Sequence, residues 1–184
     1  MAPAVLWIDE LEKVFAGTGT DAAGSDAGTS SRMLGAFLSW MQDRKAPVFI
    51  AATSNDVTAL PPELIRKGRF DELFFVDLPN VAKRRAIFTI QLTRRKRNPA
   101  DFDLEPLVAA SQGYSGAEID SAIQTAMYAA FSEKKPLSTD FVLQALNASV
   151  PLSTTRAEDI ASQRAWAKDR AVPASTPESR TEQP

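Results

Sequence analysis

The residues whose types and spacing suit chemistry are Asp9 and Glu10, Asn55, and the pair Arg66 and Arg69, each at the end of an apolar segment. Val5-Leu6-Trp7-Ile8 runs directly into Asp9-Glu10. At the end of a rigid apolar strand the first carboxylate can hold Mg²⁺ through the metal's water shell. The second can orient and activate a water attacking a phosphate. A buried strand that simply ends in two solvated acids has the same appearance. Asn55 closes a second apolar run, so its amide falls at the same edge, where it can fix an attacking water or sense a γ-phosphate. It is equally an ordinary turn asparagine. Arg66 and Arg69 lie in Leu64-Ile65-Arg66-Lys67-Gly68-Arg69-Phe70-Asp71 and can project from one edge of the domain. A guanidinium fork donates two bonds to phosphate oxygens and stays charged. The same pair also suits a helix C-terminus, with Arg69 paired to Asp71.

Positioning these groups requires strands. Runs at 4–8, 48–52 and 73–76 are continuously apolar, a pattern of strands buried on both faces of a parallel sheet. Their polar ends gather at one edge, where open α/β sheets bind ligands. Between them, Met33, Leu34, Phe37, Leu38 and Met41 predict a helix from about Ser31 to Asp43. Residues 61–66 predict a short helix with proline in its first turn, ended by Gly68. Residues 81–95 predict a helix with Ile87, Phe88 and Leu92 inward and Lys83, Arg84 and Arg85 outward. This alternation argues for βαβ units.

After Asn98-Pro99 the pattern is helical only, at 104–110, 115–132 and 139–148. Ile119, Ile123, Met127 and Ala130 share one face, as do Val142, Leu143 and Leu146. Capping boxes Ser115-x-x-Glu118 and Thr155-x-x-Glu158 open the long helix and a last helix at 155–169. The expected organisation is an α/β part over 1–98, a helical subdomain over 99–150, a C-terminal helix over 151–171 and a disordered Pro/Ser/Thr/Glu-rich tail over 172–184. Residues 16–31, rich in Gly, Ser, Thr and Asp, read as a loop.

Composition removes whole classes of chemistry. The 184 residues include no cysteine and no histidine, which excludes disulfide frameworks, thiolate nucleophiles, Ser-His-Asp triads and nearly every zinc site. Catalysis must rest on carboxylates, amides, hydroxyls, Arg and Lys. A formal charge of -2 argues against a globally basic nucleic-acid binder. The cluster Thr93-Arg94-Arg95-Lys96-Arg97-Asn98 reads as a solvated helix end, so nucleic acid is not expected as a partner. No basic n-region opens the chain and no apolar run approaches the ~20 residues that span a bilayer, so no membrane association and a cytoplasmic location are expected. Trp40 and Trp166 read as core or interface residues.

In order and spacing, these motifs resemble the AAA ATPases of the AAA+ superfamily. The resemblance covers about residues 4–148 and implies an α/β fold, a partial P-loop NTPase parallel sheet with helices, followed by an all-α helical lid. It makes Asp9-Glu10 the Walker B pair, with Asp9 the metal-holding and cofactor-binding carboxylate and Glu10 the activator of water. Asn55 becomes sensor 1, and Arg66 and Arg69 become arginine fingers acting on a neighbouring subunit's site. Gly113-Tyr114-Ser115-Gly116-Ala117-Glu118-Ile119 is similar to the sensor 2 segment, where Gly116 and Ala117 approach adenine and ribose; the arginine absent there is typically absent in the AAA subgroup. The cofactors implied are ATP and Mg²⁺. The implied partners are further copies in a hexameric ring and a protein substrate to be remodelled. The ending Trp166-Ala167-Lys168-Asp169-Arg170-Ala171-Val172-Pro173-Ala174-Ser175 is similar to that of a bacterial and plastid-encoded AAA lineage of undefined substrate.

One departure is large. No G-x-x-x-x-G-K-[ST] string, the P-loop that cradles phosphates, occurs anywhere in the sequence. The chain therefore resembles the part of an AAA module from Walker B onward, and by itself is expected neither to bind ATP tightly nor to hydrolyse it. Family strand order places the absent P-loop strand between the runs at 48–52 and 74–77, which predicts a gap in the sheet and exposed apolar edges. The rival expectations are a non-enzymatic AAA-like interaction or regulatory module and, more weakly, a DNA-binding AAA+ protein.

Overall fold

Two of the three apolar runs pair with each other. β1 (Ala4–Ile8) and β2 (Val48–Ala52) are parallel, with Ala4 opposite Val48 and Ile8 opposite Ala52. The structure, a computed structural model, describes residues 2–15, 25–43, 45–66 and 68–175. These divide into two units, Met1–Leu73 and Phe74–Pro184.

In the first unit, α1 (Leu11–Val14) and α2 (Ser25–Asp43) supply the core with the strands. Leu11, Phe15, Leu34 and Leu64 are buried, with Ile8, Phe37, Leu38, Ala52, Leu60 and Phe70 packed against them. Only one face of the pair is covered by the described residues: Val5, Trp7 and Phe49 are 72%, 63% and 69% exposed. Burial on both faces is thus not met among the described residues, although the apolar character for it is present on both. Helix α2 begins at Ser25, earlier than the expected Ser31, because extending a helix already nucleated by its apolar stripe costs little. The rest of the expected loop, 16–24, lies outside the described residues.

The expected helix at 61–66 is instead a pair of turns. Leu64 N–H donates to Pro61 O at 2.9 Å and Arg69 N–H to Arg66 O at 3.3 Å. Adjacent prolines remove two backbone donors, and full burial of Leu64 fixes the segment without a helical ladder. Lys67 lies outside the described residues.

The second unit corrects the fate of the third run. Only Phe74–Phe75 forms a strand (β3), and it pairs in parallel with Val172–Pro173 (β4), which the sequence placed in a disordered tail. An ion pair explains the order: Nε and Nη2 of Arg164 donate to the Asp77 carboxylate at 2.8–3.0 Å and hold the C-terminal segment beside β3. The remainder of that tail, 176–184, lies outside the described residues.

Helices α3 (Val81–Arg94), α4 (Leu104–Ala110), α5 (Gly116–Ser132) and α6 (Thr139–Asn147) build the second core. Phe88, Leu92, Leu107, Ile119, Ile123, Val142 and Leu146 are its largest fully buried apolar side chains. Helix α3 packs into this core, so the units divide at 73/74, ahead of the change of pattern at residue 99. Arg84, expected to face outward, is buried: it lies four residues before Phe88 on the inward stripe. Its guanidinium donates to Val108 O at 3.2 Å and Pro79 O at 3.0 Å, satisfying a helix-end carbonyl. The expected last helix is broken into α7 (Leu152–Thr155) and α8 (Ala157–Ala167). Its Thr155–Glu158 capping box does not form, because Arg156 takes the N-cap and donates to Asp159 at 2.8 Å.

Candidate functional site

Thr53 joins the ends of the two parallel strands. Its N–H donates to Ile8 O at 2.9 Å, and its carbonyl accepts from Leu11 N–H at 2.8 Å. Its Oγ1 accepts from Glu10 N–H at 3.1 Å and donates to Asp9 Oδ1. These bonds hold Glu10 in the left-handed region, at φ 50 and ψ 58, which a non-glycine residue rarely adopts. Such strain persists where surrounding bonds over-determine it, and it clusters at functional sites. The turn re-aims the chain, so Asp9 and Glu10 both emerge at the C-terminal edge of the strand pair.

The structure brings Asn55 to Glu10. Asn55 Nδ2 donates to Glu10 Oε1 at 3.1 Å, and Asn55 N–H donates to Glu12 Oε1 at 3.2 Å. Lys13, on the single turn of α1, donates to both Glu10 oxygens at 2.7 Å. The hydrogen bond to Glu10 and its charge hold the Lys13 ammonium above the usual lysine range. Thr53, Glu12 and Lys13 were not singled out from sequence. The Glu10-to-Lys13 spacing on a helical turn was a usable signal for one of them. The Thr53 bonds join residues more than forty positions apart, and nothing local encodes them.

Arg66 is exposed, whereas Arg69 is half-buried and its Nη1 donates to Gln42 Oε1 on α2 at 3.1 Å. Among the described residues no ion pair joins Arg69 to Asp71. All of these groups belong to the first unit.

Gly116 and Ala117 belong to the second unit, in the first turn of α5. The Ser115–Glu118 capping box forms as expected: Glu118 Oε2 accepts from Ser115 N–H at 2.7 Å and Ser115 Oγ from Glu118 N–H at 3.3 Å. Glu118 Oε1 also accepts from Leu152 N–H at 2.8 Å, tying the turn to α7. A Cβ on Gly116 would meet only Ile87 Cδ1 at 3.6 Å, an ordinary contact. Gly113 is different, with φ +81 and a Cβ position 2.1 Å from Ser153 Oγ. Gly113→Ala should therefore cost at least the ~1–2 kcal/mol of a left-handed non-glycine residue. Gly68→Ala, at φ +91 in open space, should cost no more than that backbone part. Thermal unfolding of the two variants checks the order, with Gly113→Ala showing the larger loss in Tm.

The basic cluster after α3 is partly engaged in structure, since Arg95 pairs with Asp120 at 2.8 Å. Trp40 is 40% exposed on α2, and Trp166 is half-buried on α8 with the Arg170 guanidinium 5.8 Å over its ring.

Among the described residues no group of three or more Asp or Glu side chains is arranged to hold a metal. No described helix is long and apolar enough to cross a membrane.

Comparison with known proteins places the chain in context. Residues 1–78 match the model of the ATPase family associated with various cellular activities (AAA), and residues 101–141 match the AAA+ lid domain. The chain is 44% identical over 170 residues to an uncharacterized AAA domain-containing protein, ycf46, of Pyropia yezoensis, covering 92% of this chain and 34% of that protein. It is 32% identical over 149 residues to the ATP-dependent zinc metalloprotease FtsH 1 of Sphaerobacter thermophilus, covering 79% of this chain and 22% of that one. The crystal structure of the FIGL-1 AAA domain superposes with a TM-score of 0.70 at 17% identity, covering 91% of this chain and 57% of that chain. The chain thus spans about a third of the length of the ycf46 relatives it matches.

Proposed function

The chain belongs to the AAA family of ATPases, and from that premise we propose that it carries the hydrolytic half of an ATPase site whose phosphate cradle lies elsewhere. The observation that best supports this reading is the Glu10–Asn55 hydrogen bond at 3.1 Å, formed beside Asp9 at one strand edge. Bound with Mg²⁺, ATP supplies the phosphoanhydride whose hydrolysis drives remodelling of a protein partner. Asp9, oriented by the Thr53 hydroxyl, keeps a carboxylate oxygen for the metal's water shell. Asn55 engages Glu10 Oε1 and Lys13 reaches both oxygens, so Oε2, with one donor fewer, is the oxygen better placed to take a proton from an attacking water once the ammonium withdraws. Asn55 also positions that water or the γ-phosphate. Gly116 and Ala117 contribute to the adenine and ribose side. Arg66 and Arg69 act in trans on a neighbouring subunit in a homo-oligomeric, hexameric ring.

The sequence carries no P-loop string, whose backbone nest and lysine cradle the phosphates, so alone the chain neither binds ATP tightly nor turns it over. Calorimetric titration tests this on two samples: the 184-residue chain, and the same chain joined to an AAA segment that carries a P-loop. The chain alone should give no isotherm in the nanomolar-to-micromolar range, and the joined form should bind and hydrolyse ATP. Tight binding by the chain alone would defeat the division of the site. A joined form that folds but stays inert would favour the second reading, a non-enzymatic interaction module that keeps the AAA shape.

A further inference from the structure

Lys13 makes the closest contact with Glu10 and has no part of its own in the hydrolysis. We propose that Lys13 is a positioning residue for Glu10, an ammonium latch that closes the carboxylate until a stronger anion draws the lysine away. The proposal rests on the assignment of Glu10 as the activator of water.

The geometry is specific. Lys13 Nζ lies 2.7 Å from both Glu10 oxygens, and Asn55 Nδ2 lies 3.1 Å from Oε1. Oε1 therefore serves two donors and Oε2 shares the ammonium, so the carboxylate is neutralised where a base needs an open oxygen. The latch is local: Lys13 N–H donates to Glu10 O at 2.8 Å, closing one helical turn over the strained Glu10 backbone. Two further acids, Asp9 and Glu12, add to the negative field around the ammonium.

The latch is also built to open. The Lys13 side chain is 68% exposed, and exposed ion pairs are weak enough to exchange partners. A polyphosphate arriving at the same strand edge carries more negative charge than one carboxylate and competes for the ammonium. Occupancy of the site and release of the base are thereby linked. A methionine at this position would leave Glu10 open at all times.

Two readouts test this. In the nucleotide-free 184-residue chain, competitive acetylation read by mass spectrometry should find Lys13 about two- to fivefold less reactive than in Glu10→Gln, the range expected of an exposed pair. Equal reactivity in the two proteins would overturn the latch without any reference to ATP. In the joined, P-loop-bearing form, Lys13→Met should raise kcat about two- to fivefold with KM little changed, and Lys13→Arg should restore the low rate. An unchanged or lowered kcat in Lys13→Met, while Glu10→Gln still abolishes turnover, would sink the latch and leave the site reading intact. Full turnover in Glu10→Gln would remove both.

Discussion

In an assembled ring, Arg66→Ala or Arg69→Ala is expected to cut ATP turnover on the order of 10³–10⁵-fold while nucleotide binding is largely kept. The size follows from where the charge acts: a guanidinium aimed at the developing charge of phosphoryl transfer contributes in the transition state and little to the ground state. The two residues differ in their surroundings. Arg66 is exposed, and its side chain makes no hydrogen bond or ion pair among the described residues, so its removal should disturb its own unit little. Arg69 also donates to Gln42 at 3.1 Å, so its removal loosens the 61–69 turns against α2 as well. Lysine should rescue neither, because it lacks the planar fork. Action in trans has a sharper signature. Subunits lacking the fingers keep Glu10, and Glu10→Gln subunits keep the fingers, so mixing the two inactive proteins should regain a fraction of activity. Steady-state assays of the mixtures check this; mixtures no more active than their components would contradict fingers in trans.

Most of the scaffold was legible because it is written in short-range pattern. The parallel pair at 4–8 and 48–52, and helices α3 to α6, follow from apolar runs and from three- and four-residue spacings. The Ser115–Glu118 box was legible because both partners lie in one turn. What escaped depended on distant partners. Val172 and Pro173 carry no strand signal of their own, and they pair with β3 because Arg164 finds Asp77 across 87 positions. Arg84 was misplaced by its charge: the 84, 88, 92 spacing put it on the inward stripe, where two carbonyls make burial tolerable. In the candidate site, the carboxylates and the amide were legible from strand ends, whereas Thr53, which aims both acids, was not.

The hydrolytic assignment stands most directly on Glu10. Glutamine preserves its size and can still accept the Asn55 hydrogen bond, but it cannot take a proton from water. The strained turn at Glu10 is held by Thr53 through backbone atoms and the Asp9 carboxylate, so the substitution should leave the local fold in place. General-base catalysis is worth about 10²–10⁴-fold, and the loss should fall on kcat rather than on affinity. The measurement is single-turnover hydrolysis by the joined, P-loop-bearing form, with bound ATP followed in the same samples. The account predicts that Glu10→Gln holds ATP as well as the parent protein and cleaves it about 10²–10⁴-fold more slowly. Cleavage at the parent rate, with ATP equally bound, would contradict it.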